Sequence, residues 1–217
     1  MSLIIRNLNK SFRQGSTTIQ VIKSLSLEVE TGRTLALVGP SGSGKSTLLS
    51  LIAGLDSPDS GEILIEGQDI AQMSEAQRTQ FRLNNISIIF QQFHLLPYLT
   101  AKENIMLPLE IAKAPDAEKQ ADEILQVVGM TERSGHFSHQ LSGGENQRIA
   151  FARAFVAKPK LLLADEPSGS LDAENGRQVI DLLFDLTRKQ KTTLVLVTHN
   201  EEVASRADVI FRFQVQR

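Results

Sequence analysis

Gly39-Pro-Ser-Gly-Ser-Gly-Lys-Ser-Thr47 is the stretch whose reading decides the fold. It fits G-x-x-x-x-G-K-[ST] through Gly39, Gly44, Lys45 and Ser46, with Pro40, Ser41, Gly42 and Ser43 between them and Thr47 behind. The apolar run 34–38 ahead of it is short enough for a buried strand. Behind it, Leu48, Leu49, Leu51 and Ile52 fall at helical spacing until Gly54, a residue suited to ending a helix. A strand feeding a glycine-rich turn that opens a helix is a cradle for phosphate. The glycines let backbone N–H groups turn inward, and the helix N-terminus adds partial positive charge. Lys45 can then reach the β- and γ-phosphates, and the Ser46 hydroxyl can bind Mg²⁺. A plain Gly/Ser-rich turn explains the glycines but not the Lys-Ser pair in this setting. The stretch predicts a nucleoside triphosphate site.

The 217 residues suffice for one substantial core with a smaller subdomain. Hydrophobic residues at 41% and charged residues at 22% are those of an ordinary soluble globular protein. A formal net charge of −2 with no basic block lacks the electrostatic footprint of a nucleic-acid binder, so no nucleic acid partner is expected. The absence of cysteine removes disulfides and thiolate metal sites and fits a reducing compartment. Met1-Ser-Leu-Ile-Ile-Arg6 does not begin a charged leader with a long apolar segment, so no signal peptide is expected. No apolar run approaches the ~20 residues that span a bilayer. The expectation is a cytoplasmic chain whose membrane role comes through a partner.

Residues 3–30 read as β structure, with Ile19, Val21, Leu25, Leu27 and Val29 alternating with polar residues and a turn at 14–17. The stretch 56–61 is another turn and 62–66 a short strand ended by Gly67. Ser74 and Gln77 form a capping box for a helix to about Arg82, and 86–90 is a third apolar strand. From Gln91 to Pro159 the pattern is helical. Pro115, Asp116 and Glu118 start one helix, Ala117, Ala121, Ile124, Leu125 and Val128 form its apolar face, and Gly129 closes it. A second helix starts at Ser142, with Glu145 three residues on. Strands at 161–164 and 193–197 then alternate with helices near 173–188 and 201–204. Val209, Phe211, Phe213 and Val215 suggest a last strand. The fold class is α/β: a P-loop core on a mostly parallel sheet, an antiparallel β subdomain near the N-terminus and a helical insertion. One domain, 1–217, divides into a core of 1–90 and 160–217 and a helical part of about 91–159. There is no internal repeat.

The strand at 161–164 runs into Asp165, Glu166 and Pro167. In P-loop proteins an acid at this strand end holds Mg²⁺, which suits Asp165. Strict alternation points Glu166 away, but the strand is ending and Pro167 turns the backbone; an acid there could take a proton from attacking water. Leu141-Ser-Gly-Gly-Glu145 places two glycines at a Ser-capped helix start, which reads locally either as a plain cap or as a second anion site. This stretch, Ser142, Gly143, Gly144 and Glu145, resembles the signature motif of the ATP-binding-cassette (ABC) ATPases, and the likeness extends over nearly the whole chain. Gln91 resembles the Q-loop glutamine, and Ser170, Leu171 and Asp172 resemble the D-loop. His199 resembles the switch histidine, and Phe12 lies where an adenine-stacking aromatic is expected. Phe90-Gln-Gln-Phe-His-Leu-Leu-Pro97 and Thr100-Ala-Lys-Glu-Asn104 look most like the lipoprotein-release, macrolide-export and peptide-export branch.

The resemblance implies an ATPase subunit that powers a separate membrane protein. Two copies would face head to tail, each ATP lying between one P-loop and the other copy's Ser142, Gly143 and Gly144. Glu166 would polarise the water, His199 would contact the γ-phosphate, and Gln91 would join Ser46 and Asp165 around Mg²⁺. Asp172 would help knit the copies. The chain would then lie on the inner face of the cell membrane through its partner. A regulatory ABC ATPase that signals through a membrane partner without moving a solute fits equally. A soluble ABC ATPase acting on DNA or ribosomes usually carries a coiled-coil insertion or a second cassette, and this chain shows neither. A GTPase would need Asn-Lys-x-Asp, which does not occur. The chain departs from the family pattern at Asn146 and at Ser168-Gly-Ser170, and in ending at Arg217, where relatives turn through a glycine into another strand. His94, His136 and His139 lack metal-ligand spacing.

Overall fold

The computed structural model describes residues 2–213. β1 (Leu3–Gln14) and β2 (Thr17–Val29) form an antiparallel hairpin about the expected turn. β3 (Thr34–Val38) leads through the P-loop into α1 (Lys45–Ile52). β4 (Ser60–Ile65) and β5 (Gln68–Asp69) return to the antiparallel layer. α2 (Glu75–Asn85) opens on the Ser74–Gln77 capping box, with both of its reciprocal bonds made. β6 (Ile86–Ile89) is followed by three helices, α3 (Ala101–Ile111), α4 (Ala117–Val127) and α5 (Gly143–Val156). β7 (Leu161–Asp165), α6 (Ala173–Gln190), β8 (Thr193–Val197), α7 (Glu201–Ala204) and β9 (Val209–Arg212) complete the alternation.

The antiparallel sheet has the order β2-β1-β4-β5, and the second sheet, β6-β7-β8-β3-β9, is parallel throughout. The α/β class read from the sequence is the one observed. Successive residues of an interior strand serve opposite faces. Leu161, Leu163, Val195 and Val197 join a core with Leu3, Ile5, Leu48, Ile52 and Ile63. Leu162, Ala164, Leu194 and Leu196 join the other with Ile105, Leu125, Phe151, Phe155 and Leu183. A parallel sheet covered on both faces needs unbroken apolar strands, which is why these runs do not alternate. The second core is continuous from α3, α4 and α5 to α6 and the sheet. Phe151 and Phe155, one turn apart on α5, are fully buried and contribute about 2–3 kcal/mol each.

Three local readings differ from the structure. Ile19 is 44% exposed, and Ile22 is buried instead. The β1–β2 register shifts around Lys10, and Ser24 adopts φ 45°, so the inward set changes parity there. α2 runs past Arg82 to Asn85. α3 falls inside the stretch 91–159 read as helical, but its bounds were not assigned; the Thr100–Glu103 capping box marks its start and Pro108 lies within it. β9 forms at the expected place beside β3. Val215 of the expected last strand, and the chain end at Arg217, lie outside the described residues.

Asp208 fastens β9 to β3. Its carboxylate accepts from the Thr34 backbone N–H at 2.8 Å and from Arg33 Nη1 at 2.9 Å. The Thr34 N–H holds this carboxyl below its ordinary value, and Arg33 adds to the effect. A depressed folded-state pKa stabilises above the unfolded value near 3.8, and that stabilisation is lost as pH falls through the folded value. Asp208→Asn is expected to cost about 1 kcal/mol at neutral pH, discounted for solvent screening. In denaturant titrations the gap to wild type should narrow as pH falls below 3.8 and through the lowered folded value.

Candidate nucleotide site

Parallel pairing brings the strand ends to one edge. Val197 pairs with both Leu37 and Asp165, and Ala164 pairs with Ile89. The loops after β3, β6, β7 and β8 therefore leave side by side, as at the carboxyl edge of open α/β sheets. The P-loop, Gln91, Asp165 with Glu166, and His199 are carried by these four loops.

Gly44 adopts φ 101°, and a Cβ there would stand 2.9 Å from Val21 Cγ1 and 3.0 Å from the Val21 carbonyl. β2 thus closes directly on the P-loop. Lys45 is buried, and its Nζ donates to the carbonyls of Gly39 at 2.8 Å and Pro40 at 2.7 Å. The ammonium is held inside its own loop. Ser46 lies close enough to the Asp165 carboxyl across the strand ends to favour its charged form. Burial pushes the Asp165 carboxyl above its ordinary value, with Glu166 adding to the rise while Ser46 and Lys45 oppose it. A half-buried carboxylate beside a hydroxyl is an oxygen donor set that fits a hard divalent cation.

Glu166 leaves the strand with φ 47° while its N–H still donates to the Val197 carbonyl at 3.0 Å. The left-handed turn releases the side chain from strand alternation. Its Oε2 lies 2.9 Å from His199 Nδ1. An acid and an imidazole in contact at a phosphate cradle can hold and orient a water.

Gln91 belongs to a second group. The Ser170 hydroxyl donates to the Gln91 carbonyl at 3.2 Å, and a Cβ on Gly169 would come 3.0 Å from Gln91 Nε2. Gly169 N–H donates to the Glu166 carbonyl at 2.9 Å, which joins this group to the first. Ser142 caps α5 by accepting from Glu145 N–H at 3.2 Å, while Glu145 accepts from Ser142 N–H at 2.8 Å and from Arg133 at 3.1 Å. The Ser142 N–H, with Arg133 in support, holds the Glu145 carboxyl below its ordinary value. A Cβ on Gly143 would meet Leu171 at 3.1 Å, and one on Gly144 would meet Asn175 at 3.2 Å. Asp172 caps α6 by accepting from Glu174 and Asn175 N–H. The signature start thus packs on Leu171 and the start of α6 in its own chain. Phe12 stands on β1 and is 43% exposed.

Three further side chains have structural roles that the motifs did not assign. Asn175 lies against Gly144 and donates to Asp172 at 2.6 Å; its spacing from Asp172 on a capped helix was the available signal. Arg153 of α5 donates to the carbonyls of His94 at 2.7 Å and Phe93 at 2.9 Å. The fully buried Asn104 amide binds the backbone of Leu96, Leu99 and Thr100. Together they clamp the loop 93–99. Leu95 packs against the core, while Tyr98 is 71% exposed.

A family model described as ABC transporter matches residues 22–169. The lipoprotein-releasing system ATP-binding protein LolD of Geobacter metallireducens is 47% identical over 94% of this chain and 91% of its own length. An uncharacterised ABC transporter ATP-binding protein of Mycobacterium tuberculosis is 45% identical over 97% of this chain and 86% of its own. Among solved structures, the dimeric post-hydrolysis state of the ATP-binding cassette MJ0796, bound to ADP and Pi, superposes with a TM-score of 0.88 at 36% identity, covering 98% of this chain and 94% of that one. Matched along nearly its whole length by such ATP-binding proteins, the chain belongs to the ABC transporter family, among its ATP-binding subunits.

Proposed function

We propose that the chain hydrolyses ATP as one of two copies that close head to tail, and that this cycle drives a separate integral membrane subunit. The reading rests above all on the Glu166–His199 pair, 2.9 Å apart, beside Lys45, Ser46 and Asp165. On binding, Lys45 exchanges the carbonyls of Gly39 and Pro40 for the β- and γ-phosphates, while the N–H groups of 41–47 line the phosphate chain. Phe12 stacks on the base. Ser46, Asp165 and Gln91 would hold Mg²⁺, which would neutralise charge on the phosphate oxygens. Glu166 accepts the proton of the attacking water. His199 steadies that carboxylate through Nδ1 and turns Nε2 toward the γ-phosphate.

The second copy supplies the start of its α5, at Ser142, Gly143, Gly144 and Glu145, to the same γ-phosphate, while Ser170, Leu171 and Asp172 lie between the copies. The dimeric MJ0796 structure with ADP and Pi supports this part of the reading. One unit, 1–217, then works as a core of 1–90 and 160–217 with the helical part of about 91–159 as an arm. The clamped loop 93–99 is the receiving surface for a helix of the membrane subunit. Through it the chain sits on the cytoplasmic face of the membrane. The likeness to lipoprotein-releasing ATP-binding proteins favours a partner of the release or export type.

Lys45→Ala should remove most ATP affinity in calorimetric titration of the folded variant, since a buried polyphosphate loses its loop cation; unchanged binding would overturn the site. Glu166→Gln should slow hydrolysis by ~10²–10⁴ and leave an ATP-bound dimer on size exclusion with light scattering. Asp165→Asn, in contrast, should dimerise poorly, and a monomeric Glu166→Gln protein with ATP and Mg²⁺ would refute the assignment. Charged substitutions at Tyr98 and Leu99 should abolish copurification with the membrane subunit while ATP binding persists. Intact complexes would remove loop 93–99 from the interface.

A further inference from the structure

We propose that Lys10 is a positioning residue for the nucleotide base: it covers one face of the Phe12 ring and fixes that ring relative to the P-loop, so that the remaining face serves as the stacking surface. This rests on the assignment of Phe12 made above and extends it to a residue outside every motif.

Lys10 is 9% exposed, a degree of burial that lysine rarely adopts without partners. Its Nζ stands 2.8 Å from Asp56 Oδ2, donates to the Ser57 carbonyl at 2.7 Å and lies 4.9 Å from the centroid of the Phe12 ring. With Asp56 Oδ1 also at 2.9 Å, three oxygens from two residues and one aromatic face account for its neighbours, and 4.9 Å is within cation–π range. Asp56 follows the end of α1, the helix that begins at Lys45. One cation therefore ties the strand carrying Phe12 to the far end of the P-loop helix.

Adjacent residues repeat the tie. Asp59 N–H donates to the Asn9 carbonyl at 2.9 Å, and Asp59 Oδ2 accepts from Ser11 N–H at 2.7 Å and the Ser11 hydroxyl at 2.6 Å. On the opposite side Lys10 pairs in register with Ile22, and Val21 and Ile22 pack on Gly44. The strand is thus braced against both ends of the P-loop helix, and Lys10 is the member of the brace that touches the ring. An apolar side chain could fill this position without the desolvation cost of a buried ammonium. Asp56 supplies the counter-charge, and the Phe12 ring takes a remaining side of the cation, so the ion pair fixes the ring along with the strand.

The test is a calorimetric titration of Mg-ATP and of Mg-tripolyphosphate, which has the phosphates but no base. The proteins are wild type, Lys10→Met, Lys10→Arg, Phe12→Ala and the Lys10→Met/Phe12→Ala double variant. Lys10→Met is expected to weaken ATP about five- to tenfold, the lower end of an aromatic–base stack, and to leave tripolyphosphate within about twofold. Lys10→Arg should recover most of the loss, and the double variant should bind no worse than Phe12→Ala alone. Equal losses on both ligands, or additive losses in the double variant, would overturn the proposal. If Phe12→Ala binds ATP like wild type, the stacking assignment fails and this inference with it. If Phe12→Ala weakens ATP and Lys10→Met does not, the role of Lys10 alone is wrong. Lys10→Gln takes the same measurements, with the same criteria, should the Met variant not fold.

Discussion

The hydrogen-bond register of the parallel sheet is the constraint on which the rest depends. Because Val197 pairs with both Leu37 and Asp165, three strands reach the same edge in step. Parallel strands cannot be joined by tight hairpins, so each must end in a loop that leaves that edge and return through a crossover. The loops after β3, β6, β7 and β8 consequently carry residues far apart in sequence into one region. Apolar burial on both faces keeps the strands from sliding, since a one-residue slip would exchange the two cores.

Charge at this edge is arranged for a ligand. Lys45 is satisfied by the carbonyls of its own loop, which are weaker partners than phosphate oxygens. Asp165 is raised by burial and by its acidic neighbour, so a cation beside it would relieve a cost already present in the fold. Glu166 depends on a left-handed backbone position, a conformation a non-glycine residue adopts only where its surroundings enforce it. Here the enforcement is its hydrogen bonds to Val197 and Gly169 and its contact with His199.

The signature helix start is anchored differently. Its glycines admit Leu171 and Asn175 where a Cβ would crowd them, so the start of α5 follows the start of α6. Arg153, on the same α5, holds the carbonyls of Phe93 and His94. One rigid helix thereby touches both the loop after Gln91 and the segment after Glu166. Its position is tied to each through packing, not through flexible linkers.

The sequence by itself determined the phosphate cradle, the acidic strand end, the capped helix starts and the α/β class, because each is written in neighbouring residues with local physical consequences. Gly44 before Lys45 and Ser142 before Glu145 carry their conformations with them. It did not determine which hairpin residues turn inward: the register shifts around Lys10 buried Ile22 and exposed Ile19. It also left unread the direction of the Glu166 side chain, the packing of Asn175 against Gly144, and the contact of Lys10 with Asp56. Those depend on which distant strand or helix lies alongside, and only closure of the two cores sets that. Lys10 and Asp56 are 46 residues apart, and no pattern of nearest neighbours encodes their meeting.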